Sequence, residues 1–171
     1  MQTISGLSGK HHGEVLTVVG RGVSLARLHA QHLSGVVMAI NQAIEKVESL
    51  NPDNPLYSLQ KDRYLVKPRK AVLLLHELES LASNPVIDYK LVYSFDVERD
   101  FRIRWDLPSV VIAEKFANWF GCRKVVFLCC DAVTDGVTEA YGDPATRQSD
   151  YLQHGRLVRE NATLPVEWVR I

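Results

Sequence analysis

The residues from Asp88 to Asp106 alternate between apolar and mostly polar side chains, and this pattern constrains the fold more than any other feature of the sequence. Period-two alternation predicts strands with one buried and one exposed face. We therefore expect this segment to form a β-hairpin whose buried face carries the odd-numbered residues Tyr89, Leu91, Tyr93, Phe95, Val97, Phe101, Ile103 and Trp105.

The turn of this hairpin follows from parity, because residues that face each other must both be odd-numbered or both even-numbered. A three-residue loop over 98–100 pairs Val97 with Phe101 and places Asp96 opposite Arg102. A register shift of one residue would expose the aromatic row, so we expect a firm register. Phe95, Ile103 and Trp105 should then be buried, with Arg102 and Arg104 exposed.

Other segments supply further elements. Two apolar runs predict strands, three stretches with helical spacing predict helices, and a second hairpin is expected at the end of the chain. Together they favour an α+β fold, with a mixed, mainly antiparallel sheet of about five to six strands and three to four helices packed on it. The strands are expected at 14–19 and 125–130, the helices at 24–50, 69–82 and from Asp106 or Ser109 to Phe120 with Gly121 as its stop, and the second hairpin at 156–160 and 166–171.

Composition indicates an ordinary folded protein. The chain has 171 residues, of which 46% are hydrophobic and 23% charged, and we expect one globular domain over residues 1–171. The formal net charge of +0 disfavours nucleic acid as a partner. Nothing near the N-terminus resembles a signal peptide, and no apolar segment is long enough to span a membrane, so we expect a cytoplasmic protein without a membrane partner. Cys122, Cys129 and Cys130 are expected to be free thiols, with Cys129 and Cys130 buried, which suits a reducing compartment.

Motifs for phosphate and metal binding are incomplete. Gly20-Arg21-Gly22 lies between a predicted strand and a predicted helix, but Leu25 stands where a dinucleotide loop needs its third glycine, so a plain turn is favoured. A calcium loop beginning at Asp131 lacks its last ligand, and His29 and His32 have no partner at zinc spacing. We expect neither a metal nor a cofactor.

The polar segment Asp131–Gln148 follows the strand expected to be most buried, where α/β proteins often bind ligands. Its vicinity provides the candidate catalytic residues Asp131, Asp135 and His154. A small hydrolase or transferase that uses this region is therefore one functional hypothesis.

The exposed face of the first hairpin provides another candidate site. Asp96, Glu98, Arg102 and Arg104 form either simple cross-strand salt pairs or a docking surface for a protein partner. Since no catalytic motif is present, the sequence favours a cytoplasmic, non-catalytic protein-binding module of the immunity-protein, antitoxin or adaptor type. The alternatives are the small enzyme and a self-associating structural protein, for which a homo-oligomer is expected.

Overall fold

The computed structural model describes residues 2–61, 66–77, 91–135 and 151–171. In these residues eight strands form one sheet in the order β1-β6-β5-β4-β3-β2-β7-β8. The strands are β1 (Gln2–Thr3), β2 (Val15–Val19), β3 (Val36–Ile40), β4 (Leu56–Gln60), β5 (Val72–His76), β6 (Val92–Phe95), β7 (Lys124–Leu128) and β8 (Val166–Val169), and the helices are α1 (Ala43–Ser49), α2 (Val97–Phe101), α3 (Ser109–Trp119), α4 (Asp131–Asp135) and α5 (Tyr151–Asn161), with shorter 3₁₀ turns at Ile4–Leu7, Val23–Arg27 and Ala30–His32.

Every strand pairing in this sheet is parallel, so the expected α+β fold with a mainly antiparallel sheet is wrong and the fold is α/β. Strands of parallel sheets are covered on both faces and are apolar along their whole length. The five residues of β3, Val36–Ile40, fit this description, because all of them are buried. A buried run of this kind gives no period-two alternation.

The expected hairpin at 88–106 does not form, and its first residues, 88–90, lie outside the described ranges. β6 ends at Phe95 because the Asp96 side chain accepts a hydrogen bond from the Arg99 backbone N–H at 2.7 Å, which caps α2. The Asp100 carboxylate accepts in return from the backbone N–H of Asp96 at 2.8 Å. Asp96 therefore begins a helix instead of facing Arg102 across a turn.

The helix changes the burial of the residues that follow it. Phe95 is fully buried and Arg102 and Arg104 are exposed, as expected. Ile103 is only half-buried, and the side chain of Trp105 is 60% exposed, so its expected burial is wrong. Odd-numbered residues share a face only along an uninterrupted strand. Because α2 lies between Phe95 and Trp105, these two residues need not lie on the same face.

The helix expected at 24–50 is also wrong, because the range contains two 3₁₀ turns, the strand β3 and the short helix α1. Gly35 lies directly before β3 and has a backbone φ of +60°. A Cβ there would lie 2.3 Å from the carbonyl oxygen of Val15, so glycine allows β2 and β3 to approach each other. The apolar residues fitted a helical stripe, but they equally fit a buried strand followed by a short helix.

Two further elements are corrected. The helix expected at 69–82 is replaced over 72–76 by β5, whose apolar character on all sides suits a strand covered on both faces, and residues 78–82 lie outside the described ranges. The second hairpin does not form, because residues 156–160 belong to α5 and β8 runs parallel to β7. The strand at 14–19 and the third helix are confirmed, and Gly121 ends that helix with a φ of +77°. The strand expected at 125–130 is present as β7, but it ends at Leu128, before Cys129 and Cys130.

Helices cover both faces of the sheet. On one face α3 packs its aromatic side chains against the strands, with the Phe116 ring edge-on to Phe95 at a centroid distance of 5.0 Å. On the other face α1 packs Ile44 and Val47 against β3. Because all strands are parallel, their carboxyl ends meet at one edge of the sheet, which we call the carboxyl edge.

Candidate ligand site at the carboxyl edge

The order of strands reverses between β2 and β7. The chain proceeds from β2 to β3 on one side and from β7 to β8 on the other, while β2 and β7 are paired neighbours. In open parallel sheets, ligands bind outside the carboxyl ends of the strands at such a switch point. The candidate site therefore begins where Gly20-Arg21-Gly22 leaves β2 and Cys129-Cys130-Asp131 leaves β7.

Asp131 joins these two segments directly. Its Oδ2 accepts hydrogen bonds from the backbone N–H of Ser24 at 3.0 Å and from the Ser24 hydroxyl at 2.7 Å. Ser24 is buried, so both of its donors need a partner inside the protein. The Asp131 carboxylate therefore links the turn that follows β2 to the end of β7.

The same contact explains the two glycines. A Cβ at Gly22 would lie 2.0 Å from Asp131 Oδ2 and 2.8 Å from the backbone nitrogen of Asp131. A Cβ at Gly20 would lie 2.7 Å from the Cys129 carbonyl oxygen. Close packing of the two strand ends requires glycine here, and a bound pyrophosphate is not needed to account for it.

The other candidate catalytic residues lie nearby, on two helices that pack together. Asp135 is at the end of α4 and forms an ion pair with Arg170. His154 is half-buried on α5, and α5 approaches α4 at Gly155, where a Cβ would lie 3.1 Å from Val133 Cγ1. Asp131 and Asp135 thus have structural partners, and residues 136–150 of the expected loop lie outside the described ranges.

Four neighbouring strands, β2 to β5, end in polar residues that sequence reasoning did not bring together. Neighbouring strands are about 4.8 Å apart, so a small molecule can span several of them. Lys61 directly follows β4 and His76 is the last residue of β5, and both are buried. The set consists of Arg21 after β2, Asn41 after β3, Lys61 after β4, and His76 and Glu77 at the end of β5.

Asn41 is the most unusual residue of this edge. Its backbone φ is +54°, a left-handed conformation that asparagine tolerates better than most residues. Its side-chain Oδ1 is buried and, in the described part of the chain, accepts no hydrogen bond. The only signal in the sequence was an asparagine directly after an apolar run, which the expected helix at 24–50 concealed.

The edge carries charges of both signs. Glu77 lies 2.8 Å from the Arg99 guanidinium, whereas Asp131 accepts hydrogen bonds from the neutral Ser24 and keeps its negative charge. Arg21 and Lys61 place positive charge on the two strands that flank Asn41. An anionic ligand would meet this charge in a partly buried position, where salt screens it less than at an exposed surface.

A second polar feature lies at the opposite edge, in a depression of about 390 Å³ lined by residues that include Arg69 and Lys70. The buried Glu48 carboxylate there accepts from the backbone N–H groups of Arg69, Lys70 and Ala71 at 2.7–2.9 Å. Burial raises the pKa of Glu48, but these hydrogen bonds outweigh it and the pKa lies below its ordinary value of 4.5. Because the Glu48 carboxylate already accepts from these N–H groups, they are not available to a bound anion, and the depression is a weaker candidate site than the carboxyl edge.

The histidines and cysteines are the residues that bear on metal and thiol chemistry. Among the described residues no group of three or more His, Cys, Asp or Glu side chains is placed to hold a metal. His32 Nδ1 accepts a hydrogen bond from the His29 backbone N–H at 3.0 Å, so this nitrogen is engaged. Cys129 is buried and its pKa is raised to about 11 by burial, whereas Cys130 is half-buried, less than expected.

The residues expected to form a docking face are dispersed by α2. Asp96 caps this helix, and Glu98 is exposed on its first turn. Arg102 ends the helix in a left-handed conformation with a φ of +56°, and Arg104 pairs with Asp106. Of the expected surface, Arg102 and Arg104 lie in one exposed loop, which also carries the exposed Trp105.

No helix among the described residues has the length and apolar character that a membrane span requires. No protein-family model matches the chain. No curated protein is significantly similar to it in sequence. The functional argument therefore depends on the fold and on the geometry of the carboxyl edge.

Proposed function

We propose that the protein binds a small anionic metabolite at the carboxyl edge, from the switch point between β2 and β7 across the ends of β3 and β4. The observation that carries this proposal is the topology: the order of strands in an open parallel sheet reverses at β2 and β7. A crevice at this point is where such sheets bind ligands, regardless of their chemistry. The concentration of polar residues at the same strand ends supports it.

Within this site we assign Arg21 and Lys61 to attraction of the anion and Asp131 to positioning. Asp131 holds Ser24, and with it the turn that follows β2, through hydrogen bonds of 2.7 and 3.0 Å. A general base must be able to receive a proton from the substrate. Asp131 holds Ser24 and Asp135 pairs with Arg170, so both carboxylates have structural roles, and we favour binding over the hydrolase or transferase hypothesis.

The test is a titration with phosphorylated metabolites. Isothermal calorimetry would compare the common ribonucleoside 5′-monophosphates, ribose 5-phosphate, glucose 6-phosphate and inorganic phosphate. We expect at least one organic phosphate to bind and Arg21→Ala to weaken it about 10-fold, the loss of one charge-assisted contact. Arg123→Ala is the matched control, because Arg123 is an exposed arginine at the opposite, amino end of β7. Absence of binding to wild type by every probe would refute the proposal.

A second candidate function, docking onto a protein with an acidic surface, is favoured by one specific observation. The side chain of Trp105 is 60% exposed between the exposed Arg104 and Asp106. Tryptophan and arginine are enriched among the residues that dominate protein–protein binding energy. The sequence predicts this role for Arg102 and Arg104, and the structure adds the exposed Trp105.

This second candidate is tested with a partner isolated from the protein's own host. Arg102→Glu/Arg104→Glu should slow association, more strongly at low salt, because exposed charges act mainly by steering. Trp105→Ala should speed dissociation. Unchanged rates in both variants would exclude this loop as the docking surface.

A further inference from the structure

β8 forms the longer of the two open edges of the sheet in the described part of the chain. The order of strands ends with β1 on one side and with β8 on the other. β1 has only two residues, whereas β8 has four, Val166–Val169. An open edge presents unpaired backbone N–H and C=O groups, and proteins protect such edges with very short strands, proline, bulges or charged side chains. β1 is protected by its shortness, so β8 is the edge at which another strand can pair.

The pairing of β8 with β7 determines which of its backbone groups point outward. The Val125 N–H donates to the Pro165 carbonyl at 2.9 Å, and Val125 lies opposite Val166. In a parallel ladder a residue that bonds in this way bonds to both neighbours of its partner, so the backbone groups of Glu167 also point toward β7. Successive residues of a strand point their backbone groups to opposite sides. The N–H and C=O groups of Val166 and Trp168 therefore point away from β7.

The side chains of β8 leave this edge open. Its three apolar residues are half-buried, and the Trp168 ring stacks on Phe127 of β7 at a centroid distance of 4.3 Å. Its one charged residue, Glu167, forms an ion pair with Lys124 of β7. The carboxylate is thereby directed back toward the sheet, and β8 itself contains neither lysine nor proline. An added strand would cover the apolar side chains that are now half-buried.

We propose that β8 pairs in antiparallel orientation with β8 of a second copy of this chain. A second copy fits because it presents the same open edge, so one isologous contact pairs the outward groups of both strands at once. Residues opposite each other in an antiparallel pair share a face, so the twofold axis passes through a residue of the strand. This surface is separate from the carboxyl edge, and the inference does not depend on the proposed function.

Hydrogen bonding and charge place the twofold axis at Trp168. With the axis there, Trp168 exchanges hydrogen bonds with its own copy and Val166 lies opposite Arg170 of the second copy, which gives about six hydrogen bonds in all. An axis at Glu167 or Arg170 would place like charges directly opposite each other. An axis at Val169 would give only about four hydrogen bonds. The contact is short, and stable interfaces bury at least about 1,200 Å², so we expect a weak dimer with a dissociation constant on the order of 100 µM.

Sedimentation velocity of wild type and two variants tests the pairing. Between about 10 µM and 1 mM protein, the average mass of wild type should rise from that of one chain toward that of two. Trp168→Pro removes the N–H on the axis but no hydrogen bond to β7, and proline is tolerated in edge strands. Trp168→Ala is the matched control, because it removes the same ring and keeps the N–H. We expect Trp168→Pro to dimerise at least about 10-fold more weakly than Trp168→Ala.

Two results of this experiment would overturn the proposal. One is a wild type that stays monomeric up to about 1 mM protein, which is above the expected dissociation constant. The other is equal dimerisation of Trp168→Pro and Trp168→Ala, which would show that the outward N–H is not in the interface.

Amide hydrogen exchange of wild type, followed by NMR, locates the interface without a substitution. The exchange of the Trp168 N–H should slow as the protein concentration rises, because pairing with the second copy protects it. Val169 is the internal control, since its N–H points toward β7 and should be protected at every concentration. A rise in mass without slower exchange at Trp168 would show that the copies associate through another surface. Slower exchange only after addition of host extract, with the mass of wild type unchanged, would indicate a strand of another protein, and either result overturns the proposal.

Discussion

The contact between Asp131 and Ser24 gives the sharpest prediction, because it closes the switch point of the sheet. Asp131→Ala removes the acceptor of two hydrogen bonds from a buried residue. Hydrogen bonds to charged groups contribute about 1.5–3 kcal/mol each. Asp131 itself is only half-buried, and water can replace part of the loss, so we expect the free energy of unfolding to fall by about 3 kcal/mol.

Urea denaturation of wild type, Asp131→Ala, Ser24→Ala and the double variant would measure this contact. The expected loss corresponds to a decrease of about 6–12 °C in melting temperature for a chain of this size. In the double-mutant cycle, the hydroxyl part of the contact should appear as a coupling energy of about 1–2 kcal/mol. Asp135→Ala on the same helix is the control, and its exposed ion pair with Arg170 should contribute at most about 1 kcal/mol.

Gly22→Ala tests the same contact from the other strand. The added Cβ would lie 2.0 Å from Asp131 Oδ2, so the carboxylate must move away and its hydrogen bonds must break. The substitution should therefore destabilise wild type more than it destabilises Asp131→Ala. If Asp131→Ala is as stable as wild type within about 0.5 kcal/mol, the carboxylate does not hold the switch point and this reasoning is refuted.

Three further predictions concern other parts of the molecule. Glu48 has a lowered pKa in the folded state, so its contribution to stability is present above its unfolded pKa of 4.5 and is lost as the pH falls through the lower folded value. In urea denaturation at a series of acidic pH values, Glu48→Gln should therefore reduce the loss of stability with falling pH. Glu45→Gln, at an exposed position, should leave this pH dependence unchanged. Phe95→Ala should cost about 3–5 kcal/mol of stability, whereas the exposed Trp105→Ala should cost less than about 1 kcal/mol, and equal losses would contradict the burial of these two side chains. Cys129 should react with a thiol reagent only after denaturation, because its pKa is raised to about 11 by burial, and rapid labelling of the native protein would contradict this.

Some elements could be predicted from the sequence because neighbouring residues determine them. α3 has Pro108 before its first turn, an apolar face at helical spacing and Gly121 after its end, so its bounds follow from local signals. β2 and β7 are short apolar runs between polar segments. Asp131 could be named as a candidate for the same reason, since it directly follows a buried strand. In each of these cases the signal lies within a few residues of the element.

The α2 helix shows where a local signal was present but was outweighed. Asp96 and Asp100 are spaced to satisfy backbone N–H groups at the start of a helix, and the structure uses both. The alternation on either side of α2 suggested a continuous hairpin, because alternation does not show whether a chain continues or turns. The hydrogen bonds of Asp96 and Asp100 favour the helix over the hairpin. Because the helix forms, Trp105 lies in an exposed loop.

Strand direction, strand order and the site itself depended on the tertiary structure. The residues of β3 have the same apolar pattern whether they form a helix or a strand, and only burial between α1 on one face and α3 on the other selects the strand. Ser24 and Asp131 are 107 residues apart, so no local pattern indicates that one binds the other. The unpaired oxygen of Asn41 is likewise a property of its surroundings. The sequence by itself determined which residues could be buried and where some elements end, because those depend on neighbouring side chains. The parallel sheet and its switch point were decided only when distant segments packed together. The sequence of one strand does not indicate which other strand it pairs with, or in which direction.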